Sequence, residues 1–231
     1  MPTFRNYLEE ARSGLQEPSA KFFTDDEIMR WLNYALQLFA KETHILKGTC
    51  DYTWAASVQE VALSTVLNDD TIKRPVIEEA RWKTGTSGET LLHVSMSEVW
   101  KFDPDRHAVD YAGTPNRLYY SPWSDKIGLY PTPSSEGTLT LFHSHELADY
   151  TALTQTVNAA FDPWWLDISA YAIARGKLKD VDHFSTQESV IENERFVGAM
   201  RKAKLQIYIR DFPQQTIGFV RDYPSLNHQG K

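Results

Sequence analysis

Residues 127–143 read IGLYPTPSSEGTLTLFH and decide the fold class. An apolar segment stops at a Pro-Thr-Pro sequence, a small polar turn follows, and polar and apolar residues then alternate from Thr138 to Phe142. Such alternation is typical of a strand with one buried face. Pro, Ser and Gly between two strand-like segments favour a turn. The stretch therefore predicts two antiparallel strands joined as a hairpin.

The predicted hairpin lies within a longer region, residues 50–149, that is rich in strand-forming residues. Thr, Val, Tyr and Trp are frequent there, and Gly, Pro, Ser and Asp recur at short intervals, as between short antiparallel strands. A segment that begins at Ser95 predicts one short helix. We therefore interpret the region as an inserted antiparallel β lobe. Its predicted strands cover residues 58–63, 75–83, 90–94, 116–121, 126–130 and 138–145.

Helical periodicity precedes this region. From residue 25 onward, apolar side chains recur at intervals of three and four, and Gly48 provides a stop. Thr24 and Glu27 have the spacing of a capping box, in which each side chain binds the other residue's backbone N–H. We therefore predict a helix over residues 25–46, after a shorter helix over roughly 3–14.

Two further helices are predicted after the β lobe, over residues 163–178 and 184–210. Asp162 is suited to the N-cap of the first. Pro163 is suited to its first helical position, because the missing N–H of proline is not needed there. The second helix is acidic in its first half and basic in its second half, which suits the helix dipole. The chain therefore both begins and ends in helical segments.

The domain organisation follows from this order of elements. Residues 1–49 and 150–210 predict one helical bundle, and residues 50–149 predict the inserted β lobe. Residues 211–231 predict an extended C-terminal tail, so the fold class is α+β. Prolines prevent a helix in the tail, yet it holds more large apolar residues than a typical disordered segment. We therefore expect the tail to bind another protein through Phe212, Ile217, Phe219, Val220 and Tyr223.

Composition restricts the classes of function. The 231 residues carry a formal net charge of −7, and the sequence shows no basic stripe of the kind that grips nucleic acid. The single cysteine, Cys50, excludes an internal disulfide. No apolar stretch is long enough to cross a bilayer, and the N-terminus lacks the pattern of a signal peptide. We therefore expect a protein made in the cytoplasm that does not enter a membrane.

Carboxylate pairs are the first candidates for catalysis. Glycoside hydrolysis requires two carboxyl groups held across a sugar. Carboxylates that are neighbours in sequence are more often solvated charges or turn residues. The candidate pairs are Glu78/Glu79, Asp103/Asp105 and Asp180/Asp182.

Histidine and cysteine supply the remaining candidates. On a strand, His143 and His145 would face the same side, as two metal ligands must, but no third ligand lies nearby in sequence, and otherwise they are surface histidines. Cys50 with His44 could form a nucleophile, although Cys50 is better explained as the packed start of a strand. No nucleophile, phosphate-loop or dinucleotide motif is present. We therefore predict no catalytic residue, metal or cofactor.

Aromatic residues are dense around the predicted hairpin. Aromatic side chains can line a sugar-binding groove, and they are also enriched in protein–protein interfaces. We predict a β-lobe interface formed by Tyr119, Tyr120, Trp123 and Tyr130.

The run GTPNRLYYSPWSDKIGLYPTPSSEGTLTL, residues 113–141, resembles a pattern of the head–tail adaptor proteins of tailed bacteriophages, also called head-completion or connector proteins. In that pattern Gly-x-Pro is followed by Tyr, an apolar strand, Tyr-Pro-x-Pro, and Gly with an alternating strand. The matching residues are Gly113, Pro115, Tyr119, Ile127, Leu129, Tyr130, Pro131, Pro133, Gly137, Leu139 and Leu141. The N-terminal helix is similar to the family's through Thr24, Trp31, Leu32, Asn33 and Ala35.

The resemblance implies a structural virion protein without enzymatic activity. It implies a homo-oligomeric ring, most often of twelve copies, that binds beneath the portal protein and meets tail or nozzle proteins at the head–tail interface. Double-stranded DNA would pass through the lumen without specific binding, which suits an acidic protein. In this resemblance the C-terminal tail docks on the portal or on a neighbouring copy.

Two other classes stay open at this point. A virion-associated glycoside hydrolase acting on peptidoglycan would bring two carboxyl groups into one cleft. A carbohydrate-binding tail module would expose a row of aromatic residues on one face. An adaptor would instead present apolar surface sideways to identical copies.

Overall fold

The structure, a computed structural model, describes residues 1–17, 22–68, 73–102, 112–121, 125–180 and 186–211. The chain divides into two compact units. Helices build the first unit, Met1–Ile45 with the described part of Asp149–Lys231, and strands dominate the second, Leu46–Ala148. The predicted α+β class is confirmed. Apart from Asp211, the predicted tail lies outside the described residues.

The helical unit contains the four longest helices of the described chain. Helix α5 packs against α1, α2 and α6, so it is the centre of the bundle, whereas α3 and α4 belong to the β unit. In chain order the helices are α1 (Phe4–Gly14), α2 (Asp25–Thr43), α3 (Leu63–Leu67), α4 (Met96–Phe102), α5 (Trp165–Lys179) and α6 (Thr186–Asp211).

Small residues let the central helix approach its neighbours. A Cβ added to Gly176 of α5 would lie 2.5 Å from Cδ2 of Leu15, and one added to Gly14 of α1 would lie 2.4 Å from Cδ1 of Ile173. Each glycine thus receives a large side chain from the other segment, so these two segments interlock. An aromatic cluster fills the space between α2, α5 and α6, where the Phe39 ring lies 6.1 Å from the Phe196 ring.

The N-terminus of α2 is capped as predicted, but without the full capping box. Thr24 accepts a hydrogen bond from the backbone N–H of Glu27 at 3.3 Å. The Glu27 carboxylate instead accepts a hydrogen bond from Nζ of Lys179 at 2.7 Å. This ion pair joins the start of α2 to the end of α5, which is a tertiary contact that the local sequence does not contain.

Helix α2 ends three residues earlier than predicted. His44 adopts the left-handed conformation, with φ of 53°, and its N–H donates to the carbonyl oxygen of Ala40 at 2.9 Å. This geometry ends a helix with a local hydrogen bond. The predicted stop at Gly48 is wrong because Lys47–Trp54 already forms a strand.

The predicted start of α5 is also wrong. Residues Ala159–Trp164 form a 3-10 turn that contains Pro163. Asn158, and not Asp162, caps this turn by accepting a hydrogen bond from the N–H of Ala160 at 3.0 Å. The α-helix itself begins at Trp165, after the turn has brought Phe161 into the core.

The described residues of the β unit form two four-stranded sheets and one two-stranded sheet, in the orders β1-β10-β3-β4, β2-β8-β7-β5 and β6-β9. The pairs β5–β7 and β6–β9 are parallel and the others antiparallel. The strands are β1 (Lys47–Trp54), β2 (Glu60–Ala62), β3 (Lys73–Thr84), β4 (Ser87–Thr90), β5 (Leu92–Val94), β6 (Ala112–Gly113), β7 (Arg117–Ser121), β8 (Lys126–Tyr130), β9 (Thr132–Pro133) and β10 (Gly137–Glu146).

The predicted hairpin of residues 127–143 is wrong, although both of its strands exist. Strand β8 lies between β2 and β7, whereas β10 lies between β1 and β3 in the other sheet. Leu129 of β8 and Leu139 of β10 are both fully buried in one apolar core, which also contains Trp54 and Trp82. The two strands therefore meet through side chains across that core and not through backbone hydrogen bonds.

Candidate interaction surfaces

Strand β7 carries two of the four aromatic residues predicted to form the β-lobe interface. Tyr119 and Tyr120 are neighbours, so their side chains point to opposite faces of the sheet. Tyr119 is buried, whereas 45% of the Tyr120 surface is exposed. Tyr130 on β8 is also buried, and Trp123 lies outside the described residues. Of the three described residues, Tyr120 is the one that reaches solvent.

The Tyr119 ring lies over a glycine on the paired strand. Tyr119 and Gly128 are directly opposite in the antiparallel register. A Cβ added to Gly128 would lie 2.1 Å from Cζ of Tyr119, so only glycine leaves room for the ring. The Tyr119 hydroxyl donates to the carboxylate of Glu60 at 3.2 Å. Tyr119 therefore fixes the packing of β7, β8 and β2.

Tyr120 is held by a local hydrogen bond. Its hydroxyl donates a hydrogen bond to the carboxylate of Asp125. Residue Asp125 lies at the turn that leads into β8, where its backbone has a positive φ. Burial and this hydrogen bond raise the pKa of Tyr120 to about 12. The side chain is thus a neutral, oriented aromatic group at the surface, which is a common type of contact residue in protein interfaces.

A pocket of about 200 Å³ opens beside Tyr120. Typical sites for small ligands occupy about 300–1,000 Å³, so this pocket is small for a substrate or cofactor. It lies between β3, β5 and β7, and its lining includes Pro75, Ile77, His93, Val94 and Tyr120.

The carboxylates of Glu78 and Glu79 are each engaged by a different basic side chain. The register of β3 shifts between Ile77 and Glu79, so Glu78 lies at a β-bulge and simple strand alternation does not apply to the pair. Glu78 pairs with Lys47 at 2.9 Å and Glu79 pairs with Arg81 at 2.6 Å. Two carboxylates that are each paired with a neighbouring Lys or Arg do not provide the open acid–base pair that glycoside hydrolysis requires. Asp103, Asp105 and Asp182, from the other two pairs, lie outside the described residues.

The predicted histidine pair lies on β10, and one member is buried. The ring centroids of His143 and His145 are 5.4 Å apart. His143 was predicted to be a surface histidine, but only 2% of its surface is exposed, because β10 runs between β1 and β3 and the ring lies over Gly48. In the part of the chain that the structure describes, no three His, Cys, Asp or Glu side chains come together as a metal site requires.

Cys50 lies within β1 and not at the start of a strand. Burial raises the pKa of its thiol, which disfavours the reactive thiolate form. This environment does not favour a nucleophilic role.

The comparison with known protein families decides the identity. A family model described as SU10 adaptor protein matches residues 2–214, which includes segments of both units. This chain belongs to the SU10 adaptor protein family. No curated protein matches the chain.

Membership in the SU10 adaptor family supports the resemblance to head–tail adaptors of bacteriophages. It identifies a structural adaptor and a virion component, and it points to a non-enzymatic role. Among the described helices of this SU10 adaptor, none combines the length and the hydrophobicity that a membrane span needs. The five predicted tail anchors, from Phe212 to Tyr223, lie outside the described residues.

Sequence reasoning missed a second apolar stripe on α6 of this SU10 adaptor. Ile191, Leu205 and Ile209 are exposed by 56%, 58% and 42%. Their spacing of fourteen and four residues keeps them on one face of the helix. These three residues have helical spacing in the sequence. A second set of apolar residues with the same spacing, which contains Phe196 and Ala203, forms the buried face of the same helix.

Proposed function

We propose that this SU10 adaptor forms a ring of twelve copies beneath the portal and joins the phage head to the tail. The observation that carries the proposal is the family match over residues 2–214. A structural role also agrees with the ion pairs of Glu78 and Glu79, each of which is held by a different basic side chain. No observation on the described residues favours a glycoside hydrolase or a carbohydrate-binding module.

The ring extends the channel through which double-stranded DNA leaves the portal. DNA binds proteins chiefly through its phosphates, which attract basic surfaces. A subunit with a net charge of −7 gives the ring an overall repulsion for the duplex. DNA therefore slides through the lumen without specific binding during packaging and ejection.

Two sets of contacts hold the ring in place. The C-terminal anchors Phe212, Ile217, Phe219, Val220 and Tyr223 bind portal subunits or the neighbouring copy. The β unit meets neighbouring copies and tail or nozzle proteins, with Tyr120 as its exposed aromatic contact. Tyr119 and Tyr130 support this surface from the core.

Removal of the tail tests the attachment. A chain truncated after Phe212 should keep its thermal unfolding temperature and lose stable binding to the purified portal. Ordering a segment costs about 1–2 kcal/mol per residue in backbone entropy, so several buried apolar side chains are needed to offset it. Co-sedimentation with portal measures the binding.

A matched pair of full-length variants separates the anchors from the length of the tail. Replacement of Ile217, Phe219 and Tyr223 by Ser should abolish portal binding, whereas replacement of Gln214 and Gln215 by Ala should not. Portal binding at wild-type affinity by the truncated chain or by the Ser variant would remove the anchoring role.

A further inference from the structure

Helix α6 has apolar residues on two opposite faces. One face packs on α5 and α2 and contains Ser189, Phe196, Ala199 and Ala203, all buried. The solvent face of a surface helix is normally polar. On α6 it also carries exposed Ile191, Leu205 and Ile209, with Val190 at its margin. Large exposed apolar residues that share one face of a helix, with charged residues between them, mark a candidate contact surface.

The centre of this solvent face is Gly198. A Cβ added to Gly198 would meet no atom within 4 Å, so the bundle itself does not require glycine at this position. Glycine in a helix interior is destabilising relative to alanine. Its effect here is to lower the surface between Ile191 and Leu205, so that a second helix can approach closely.

Charges are distributed about Gly198 with opposite signs. Glu194 lies one turn before it, and Arg201 and Lys202 lie one turn after it, all on the same exposed face. Within the described residues, none of these three side chains forms an ion pair, whereas Arg195 on the flank pairs with Asp167. The face therefore presents one acidic and one basic end to an external partner.

We propose that the solvent face of α6 binds the same face of a second copy, with the two helices antiparallel and a two-fold axis at Gly198. In this register Ile191 of each copy meets Leu205 of the other, seven residues on either side of Gly198. Glu194 of each copy meets Arg201 and Lys202 of the other. A two-fold interface must be self-complementary in this way.

Charge selects this arrangement over the alternatives. In a parallel pair, Glu194 would face Glu194 and the basic residues would face each other, which is unfavourable. The antiparallel pair places Glu194 of each copy beside Arg201 and Lys202 of the other, and Arg195, which lies on the flank of the same face, is already paired with Asp167. The occupant that fits the pattern is therefore a second copy of this chain.

The two-fold pair is distinct from the contacts of the proposed ring. Neighbours in a cyclic ring larger than a dimer use two different surfaces, whereas a two-fold contact closes on itself. The proposed dimer therefore belongs to the free full-length protein and does not depend on the portal-bound ring.

Charge exchange on the full-length protein tests the dimer. Light scattering over a concentration series should show a reversible dimer for the wild type. Glu194→Lys, or Arg201→Glu with Lys202→Glu, should raise the dissociation constant at least ten-fold, because each places like charges together. An equimolar mixture of the two variants should associate again. Glu9→Lys, the same change on an exposed residue of α1, should have no effect.

Cross-linking tests the register. With Cys50 replaced by Ser, Gly198→Cys should give a disulfide-linked dimer in mild oxidant, because residue 198 meets its own copy at the axis. Glu9→Cys should give none. Any one of four results would overturn the proposal. These are a wild type that stays monomeric, a charge variant that dimerises normally, a mixture that fails to associate, and a Gly198→Cys chain that does not cross-link.

Discussion

At the scale of single residues, Tyr7 places a polar atom in the apolar interior of the helical unit. Its side chain is fully buried, and its ring makes an edge contact with Trp165 at 6.0 Å between centroids. Within the described residues its hydroxyl has no hydrogen-bond partner, and neither does the buried Oδ1 of Asp162. Burial, with the nearby charge of Asp162, raises the pKa of Tyr7. The hydroxyl thus stays neutral and unsatisfied.

Removal of this hydroxyl should not destabilise the protein. A buried polar group without a partner costs about 1–3 kcal/mol. We expect Tyr7→Phe to leave the free energy of unfolding unchanged or to raise it by about 1 kcal/mol, as measured by urea denaturation. A loss of more than about 1 kcal/mol would show that the hydroxyl binds a partner or a buried water.

A substitution at Gly128 should, in contrast, destabilise the protein. Because its added Cβ would lie 2.1 Å from the Tyr119 ring, Gly128→Ala must displace that ring or the strand. Overpacking of this kind costs about 1–3 kcal/mol. Gly88 on β4 is the control, since its added Cβ would have ordinary contacts. Equal unfolding temperatures for Gly128→Ala and Gly88→Ala would contradict the close ring packing.

At the scale of elements, ion pairs join α2 to its neighbours in the bundle. Glu27 at the start of α2 pairs with Lys179 at the end of α5, and Glu42 at the end of α2 pairs with Lys204 of α6 at 2.9 Å. The hydrogen bond and the charge of Lys204 lower the pKa of Glu42. The pair therefore favours the folded state most when the carboxylate is ionised.

The sign of the pH dependence follows from this lowered pKa. The contribution of Glu42 is present above its ordinary value of 4.5 and is lost as the pH falls through its folded-state pKa. Exposed pairs contribute only about 0.2–1 kcal/mol. We expect Glu42→Gln to lower the unfolding temperature slightly at pH 7 and to match the wild type near pH 3. A constant difference over this range would contradict the role of ionisation.

A helix or strand could be predicted from the sequence where the residues that stabilise it are close together in the chain. The helix over 25–43 follows from apolar spacing and from Thr24, and both features act within a few residues. The strands β8 and β10 were also predicted, but their partners were not. Alternation specifies that a strand has a buried face, whereas pairing of β10 with residues 47–54 depends on contacts some ninety positions away. The hairpin prediction failed for this reason.

At the scale of the whole molecule, the candidate surfaces were only partly predictable. The aromatic residues of β7 were found, but sequence alone could not decide that Tyr119 is buried and Tyr120 exposed. That choice depends on which face of β7 meets the core. The second stripe of α6 became visible only when packing had assigned its first stripe, with Phe196, to the interior.

The most direct test of the central claim is electron microscopy of the full-length protein mixed with the purified portal of its phage. The account predicts a ring of twelve copies stacked on one end of the portal, with a channel continuous with that of the portal. Portal particles without an added ring at saturating protein would contradict it, as would copies bound singly at scattered positions.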